Sequence, residues 1–147
     1  MGFSVSGSAA LIFVAAFIGF GMFYTATANS FEQINDARDA QADRTLEQEN
    51  TAIQLTDVTY NETAQSLNIT ARNTGTTDLE LAEVDVLSDN TYLTDYRTAV
   101  ETDETTDLWL PQEQLVINAT GITSDPGRAT IVTGPGISAT DTTTVVS

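Results

Sequence analysis

The chain has 147 residues, with 21 Asp and Glu against five basic residues, no His and a net charge of −16. All five basic residues are Arg (Arg38, Arg44, Arg72, Arg97 and Arg128), and neither Lys nor Cys occurs. This composition excludes Ser-His and Cys-His nucleophile pairs, disulfides and thiolate zinc sites, and it leaves no basic patch to meet nucleic-acid phosphates.

The carboxylates are spread from Glu32 to Asp141 rather than gathered in one block. That spread, with no Lys, predicts adaptation to molar salt rather than an acidic tail for a basic partner. At about 1 M salt the Debye length is only ~3 Å, so a carboxylate-rich surface scarcely repels itself and keeps its hydration.

In chain order, residues 1–8 are uncharged and rich in Gly and Ser, and no Lys or Arg precedes the apolar run that follows. Residues 7–28 form that run, and no charged residue occurs before Glu32. About 20 helical residues at ~1.5 Å each cover the hydrocarbon core of a bilayer. Leu11, Ile12, Phe13, Val14, Phe17, Ile18, Phe20 and Phe23 together favour insertion by about 2.5–5 kcal/mol. A membrane anchor helix over residues 1–28 is therefore expected. Two readings compete. One is a cleaved signal peptide, since Ala26-Thr27-Ala28 has a small-x-small pattern, although the run is long and lacks a basic flank. The other is a buried core helix, although the remaining chain is too small and too β-like to wrap it.

Within the helix Phe13, Phe17, Phe20 and Tyr24 fall at helical spacing on one stripe, which Phe31 and Ile34 continue. Ala15, Gly19, Met22 and Ala26 fall on a second stripe, where small side chains let two backbones approach. Both are candidate transmembrane packing faces. Residues 29–50 read as a polar helical stalk, without Gly or Pro, in which fraying is expected near Asp39 or Ala40.

From Thr51 the period becomes alternating, and residues 51–147 read as a β-sandwich of immunoglobulin-like size with about seven or eight short strands. Ile53, Leu55, Val58 and Tyr60 predict a bulged first strand, and Leu67, Ile69 and Ala71 a second after a turn at residues 61–65. Asn73-Thr74-Gly75-Thr76 is a turn signal. Leu79, Leu81, Val84 and Val86 predict one strand with a bulge near Ala82-Glu83. Residues 92–96 predict a weaker strand and residues 98–107 an acidic loop. Strands over 108–110, ended by Pro111, and over 115–118 follow, then two segments over 129–133 and 137–146 around Gly134-Pro135-Gly136. Trp109 is expected in the core between the sheets.

No phosphate-binding loop or dinucleotide fingerprint occurs, so no cofactor is expected. Glu101, Asp103, Glu104 and Asp107 are the densest acidic cluster, without the spacing or glycine of a calcium loop. Asn61, Asn68 and Asn118 head Asn-x-Thr sequons and are candidate N-glycosylation sites on an outward-facing domain. Counting Arg38 and Arg44 after the span would place the sandwich in the cytoplasm, but both sit among Glu32, Asp36, Asp39, Asp43, Glu47 and Glu49, which discounts that count.

Met1-Gly2-Phe3-Ser4-Val5-Ser6-Gly7-Ser8 leading into the anchor, Phe23-Tyr24-Thr25-Ala26 and Asn29-Ser30-Phe31-Glu32 resemble the haloarchaeal archaellum protein F family. Asn73-Thr74-Gly75-Thr76 and Leu108-Trp109-Leu110-Pro111 resemble its sandwich, although the family's Pro-Gly-Glu turn is here Pro111-Gln112-Glu113. The sister archaellum protein G family shares the layout. The resemblance implies a non-catalytic component of the archaellum, the archaeal flagellum that drives motility. It would be anchored in the cytoplasmic membrane, with the sandwich facing outward into the pseudoperiplasm. There it would bind the surface-layer protein as a stator. It also implies a homodimer and contact with archaellum protein G and other motor components. Two other readings stay open: a pilin-like filament subunit packed through the aromatic stripe, and a membrane-tethered surface-glycan enzyme using a carboxylate pair among Asp103, Glu104 and Asp107.

Overall fold

The computed structural model describes residues 2–147, with side chains from residue 7 onward. Met1 and the side chains of residues 2–6, which carry part of the family resemblance, lie outside the described residues. The chain divides into two compact units, residues 1–43 and residues 44–147. Helix α1 (Gly2–Asn50) is unbroken through Asp39 and Ala40, so the expected fraying there does not occur. A run without Gly or Pro between residues 22 and 50 leaves every backbone N–H able to pair four residues back.

After α1 come eleven strands rather than the expected seven or eight. They are β1 (Ile53–Asn61), β2 (Ser66–Asn73), β3 (Leu79–Glu80), β4 (Asp85–Ser88), β5 (Thr91–Tyr92), β6 (Tyr96–Val100), β7 (Leu108–Trp109), β8 (Gln114–Thr120), β9 (Arg128–Val132), β10 (Ser138–Thr142) and β11 (Thr144–Val146). One sheet has the order β11-β1-β2-β8-β6, the second β10-β9-β4-β5, and a two-stranded piece pairs β3 with β7. All pairings are antiparallel except β1 with β11.

Alternation puts one side of each strand inside. Val58, Tyr60, Leu67, Ile69, Leu115 and Ile117 from the five-stranded sheet meet Val86 and Ile131 from the second. Leu79 and Trp109 close the same core, and Trp109 has no exposed surface. Each such side chain contributes roughly 1.5–3 kcal/mol by leaving water. The Trp109 indole N–H donates to the Glu113 carbonyl at 2.9 Å, so its burial strands no donor.

The expected bulge in β1 is present: the β1–β2 register slips between Leu55 and Asp57, with Thr56 as the extra residue. The break near Ala82-Glu83 is something else. A 3₁₀ turn at Leu81–Glu83 ends β3 and starts β4, which pairs in a different sheet. The Leu81 N–H bonds the Asp107 carbonyl at 2.9 Å, so the chain finishes its pairing beside β7 before it crosses. The weak strand expected over 92–96 splits into β5 and β6, and β6 takes the start of the expected acidic loop.

Only Thr51 and Ala52 separate α1 from β1. The Asn73-Thr74-Gly75-Thr76 turn folds over this junction. Thr74 and Gly75 N–H donate to the Ala52 carbonyl at 2.8 and 2.9 Å, and Thr76 N–H to the Asn50 carbonyl at 2.9 Å. A β-carbon at Gly75 would overlap the Asn50 carbonyl oxygen and the Ala52 nitrogen, so this close approach requires glycine. Thr51 Oγ1 donates to Glu47 O at 2.7 Å and Gln48 Nε2 to Pro135 O at 2.9 Å. Of the carbonyls that the helix end leaves unpaired, Asn50 O is thus satisfied by the 73–76 turn and Glu47 O by Thr51, while Gln48 in turn satisfies a carbonyl of the sandwich.

Candidate functional site

Two surfaces, one on each unit, are candidates. On the first, every described side chain from residue 7 to 28 is exposed except Thr27, which is half-buried. Phe13, Phe17, Phe20 and Tyr24 line one apolar groove with Ala16 and Gly21. Met22 and Ala26 line another with Ile18, Gly21, Thr25 and Asn29, while Ala15 and Gly19 stay open beside it. Thr25 Oγ1 donates to Gly21 O at 3.0 Å and Ser30 Oγ to Ala26 O at 2.9 Å. Hydroxyls folded back on their own helix present no unpaired donor to hydrocarbon. Among the described residues α1 is the one helix long and apolar enough to cross a membrane, with a mean hydropathy of 2.0 in its apolar window.

On the second unit, the outer face of the five-stranded sheet is polar. Thr59, Asn68, Asn118 and Arg97 stand in one row across β1, β2, β8 and β6. Asn61, Ser66 and Thr120 form the next row toward the β1–β2 turn. All three sequon asparagines therefore fall on one face, a convergence that motif counting does not reveal. Asn118 Nδ2 donates to Asn68 Oδ1 at 2.5 Å. Asn61 Oδ1 accepts the Ala64 N–H at 2.7 Å, an Asx turn that shapes the hairpin.

The acidic loop is internally engaged. Asp103 Oδ1 accepts the Thr105 N–H at 2.8 Å and the Thr105 hydroxyl at 2.7 Å, and Glu101 Oε1 accepts the Gln114 N–H at 2.8 Å. The Thr105 hydroxyl, then its backbone N–H, hold the Asp103 carboxyl below the usual carboxylate range. Among the described residues no group of three or more carboxylates converges as a metal site. Tyr96 donates its hydroxyl to Val84 O at 2.9 Å. Burial, then the Asp85 charge, push that phenol above its ordinary 10.0. It is a satisfied core tyrosine, one end apolar and the other hydrogen-bonded.

Fold and surfaces together define a class: a β-sandwich module joined to an apolar helix of membrane-spanning length. Within that class the chain belongs to the archaeal-type flagellin family, whose family model matches residues 2–145. No match is found among curated proteins. Among solved structures the chain is similar to the archaellum periplasmic stator protein FlaG from Sulfolobus acidocaldarius, at 15% identity and a TM-score of 0.41, over 62% of this chain and 97% of that one. It is also similar to the stator complex of FlaF and FlaG from the same organism, at 16% identity and a TM-score of 0.41, over 60% and 85%. A third is the ligand binding region of serine-glutamate repeat protein A of Enterococcus faecium, at 10% identity and a TM-score of 0.36, over 67% and 98%.

Proposed function

We propose that this protein is a non-catalytic, membrane-anchored component of the archaellum motor. Its helix is held in the cytoplasmic membrane as a single span, and its sandwich faces outward and grips the surface-layer protein as a stator in a halophilic cell. The observation that carries this reading is the junction between helix and sandwich. The end of α1, residues 44–50, belongs to the same compact unit as the sandwich. Two residues join it to β1, and the 73–76 turn hydrogen-bonds across them to Asn50 and Ala52. A helix end built into the sandwich, rather than joined to it by a flexible polar or Gly/Ser linker, suits a part that must bear load. Family membership and the resemblance of residues 23–32 to archaellum protein F support the same role, with archaellum protein G and a second copy of this chain as further partners.

Crosslinking in intact cells at native salt, followed by capture of this protein, tests the proposal. Recovery of the surface-layer protein is the expected result. Recovery of cytoplasmic proteins alone would reverse the orientation and defeat it. A filament subunit is the second reading, favoured by the flagellin family match and by the open aromatic groove on α1. The intact mass of the protein from cells separates the two: a peptidase-trimmed N-terminus supports the filament, an untrimmed one the stator.

A further inference from the structure

The three sequons share one sheet face, yet their asparagines are in unlike states. Asn68 lies in β2, which is paired on both sides by β1 and β8. Asn118 lies in β8, paired on both sides by β2 and β6. Their side-chain amides bond each other at 2.5 Å, with Asn118 Nδ2 as donor. For either to enter the cleft of a modifying enzyme, a central strand would have to leave two ladders at once. A glycan on Asn118 would replace one of the two hydrogens on the donor nitrogen of this pair and crowd Asn68, and one on Asn68 would be crowded by Asn118 directly opposite it.

Strand β1 is likewise paired on both sides, by β11 and β2, and Asn61 faces Val146 and Ser66, but Asn61 differs in its place at the strand end and in having no cross-strand asparagine opposite it. It is the last residue of β1, and Glu62, Thr63, Ala64 and Gln65 after it are exposed. The Asx turn uses its Oδ1 as acceptor for Ala64 N–H, so Nδ2 is not the atom that shapes the turn. The Thr63 side chain that completes the sequon is in solvent. Along β1, at ~3.4 Å per residue, Asn61 is also carried about 25–30 Å from the helix junction. A bulky polar group there meets neither the junction nor the core.

We propose that Asn61 is the N-glycan acceptor of this protein, and that Asn68 and Asn118, although both head sequons, form a structural amide pair that the folded domain keeps unmodified. The donor class is an oligosaccharide carried on a lipid phosphate. Asn61 Nδ2 forms a bond to the anomeric carbon, the bond from that carbon to the phosphate oxygen breaks, and the lipid phosphate leaves with the electron pair. The amide gives up one proton to a base of the transferase. The assignment rests on the outward-facing reading above, since the donor must meet the sandwich on the far side of the membrane.

The test is glycopeptide and intact-mass analysis of the full-length protein taken from its native membranes. The expected result is one glycan mass on the peptide containing Asn61, lost in full in Asn61→Gln and in Thr63→Ala. Thr63→Ala keeps the Asx turn, so it answers even where Asn61→Gln folds poorly. Asn68→Gln and Asn118→Gln should retain that mass. A glycan on Asn68 or Asn118, or a bare Asn61, overturns the assignment. With no native Cys, a single Ser138→Cys probe at an exposed position reports the orientation through an impermeant thiol reagent on intact cells. Labelling with a bare Asn61 overturns the glycan site and leaves the outward reading standing. Labelling only after lysis overturns both.

Discussion

Asn73 offers the sharpest test of how the sandwich is held together. Its side chain is wholly buried. Nδ2 donates to Thr77 O at 2.9 Å and to Trp109 O at 3.2 Å, while Oδ1 accepts Gly75 N–H at 3.1 Å. One amide thus ties the end of β2, the turn over the helix junction and the core strand β7. Asn73→Leu keeps the volume and removes all three bonds. Gly75 N–H keeps its bond to Ala52 O, so two carbonyls, those of Thr77 and Trp109, lose this partner. A buried group left unpaired costs about 1–3 kcal/mol, so the loss should be about 3 kcal/mol. Against a typical domain stability of roughly 5–15 kcal/mol that is a large fraction. For a domain near 100 residues it lowers the melting temperature by about 12–24 °C. Trp109 is the sole tryptophan, so its fluorescence during urea or thermal unfolding in molar salt reports at the site itself. Asn73→Asp sharpens the experiment. A carboxylate facing two carbonyls would have its pKa raised, so that variant should regain stability as pH falls and lose it as pH rises through the raised value. An Asn73→Leu protein within about 1 kcal/mol of the parent would refute the account, because a buried amide that can be dropped at so little cost was not pairing those carbonyls.

Other substitutions test other links. Gln112 occupies the third position of the turn after Pro111 with φ of 71°, and Glu113 N–H closes that turn onto Leu110 O at 3.2 Å. Left-handed backbone costs a non-glycine residue about 1–2 kcal/mol, partly offset by the greater freedom of an unfolded glycine. Gln112→Gly should therefore raise the urea midpoint by the equivalent of about 0.5–1 kcal/mol, and a lowered midpoint would mean the glutamine side chain has a compensating contact. Thr105→Val removes the hydroxyl that holds the Asp103 carboxyl low, so an NMR titration should find that carboxyl moved up toward its ordinary 3.8. The sign follows from the depressed value: this bond supports the fold above the ordinary carboxylate pKa and is lost as pH falls through the folded one. An unmoved titration would show that the backbone N–H of Thr105 suffices. Gly19→Asp puts a charge near the middle of the apolar run at about 2.5–3.5 kcal/mol, which offsets most of its insertion energy. The variant should leave the membrane fraction, and full retention would indicate that the helix is held by protein partners rather than by lipid.

The elements legible in the sequence are those whose cause is local. The apolar run of α1 follows from composition alone, and the bulge in β1 from a slip in alternation between Leu55 and Val58. The break at Ala82-Glu83 looked the same in sequence and has a different cause. A bulge and a change of sheet both shift the inward phase by one residue, and only the distant bond from Leu81 to Asp107 separates them. Strand β6 was obscured by the acidic residues that follow it, since charge at Glu101 and beyond reads as loop while Thr98 and Val100 already face inward. Asn73 read as a turn former, which it is. Its second role, pairing the carbonyl of a residue 36 positions away, has no local signature.

The sequons carry the same lesson into function. As motifs Asn61, Asn68 and Asn118 are equivalent, each followed two residues later by Thr. Their difference arises when β2 and β8 align so that Asn68 faces Asn118 across a separation of 50 residues. Register converts two of the three motifs into a cross-strand polar pair, a contact of the kind that stabilises sheets by about 0.2–1 kcal/mol. The third stays at a hairpin end where the backbone is already turned. Asn68→Ala and Asn118→Ala should each lower stability by that amount, and the double variant should cost less than the sum of the two, because either change alone breaks the same bond. Strictly additive costs would mean that the two amides act independently, and their exclusion from modification would then need another cause.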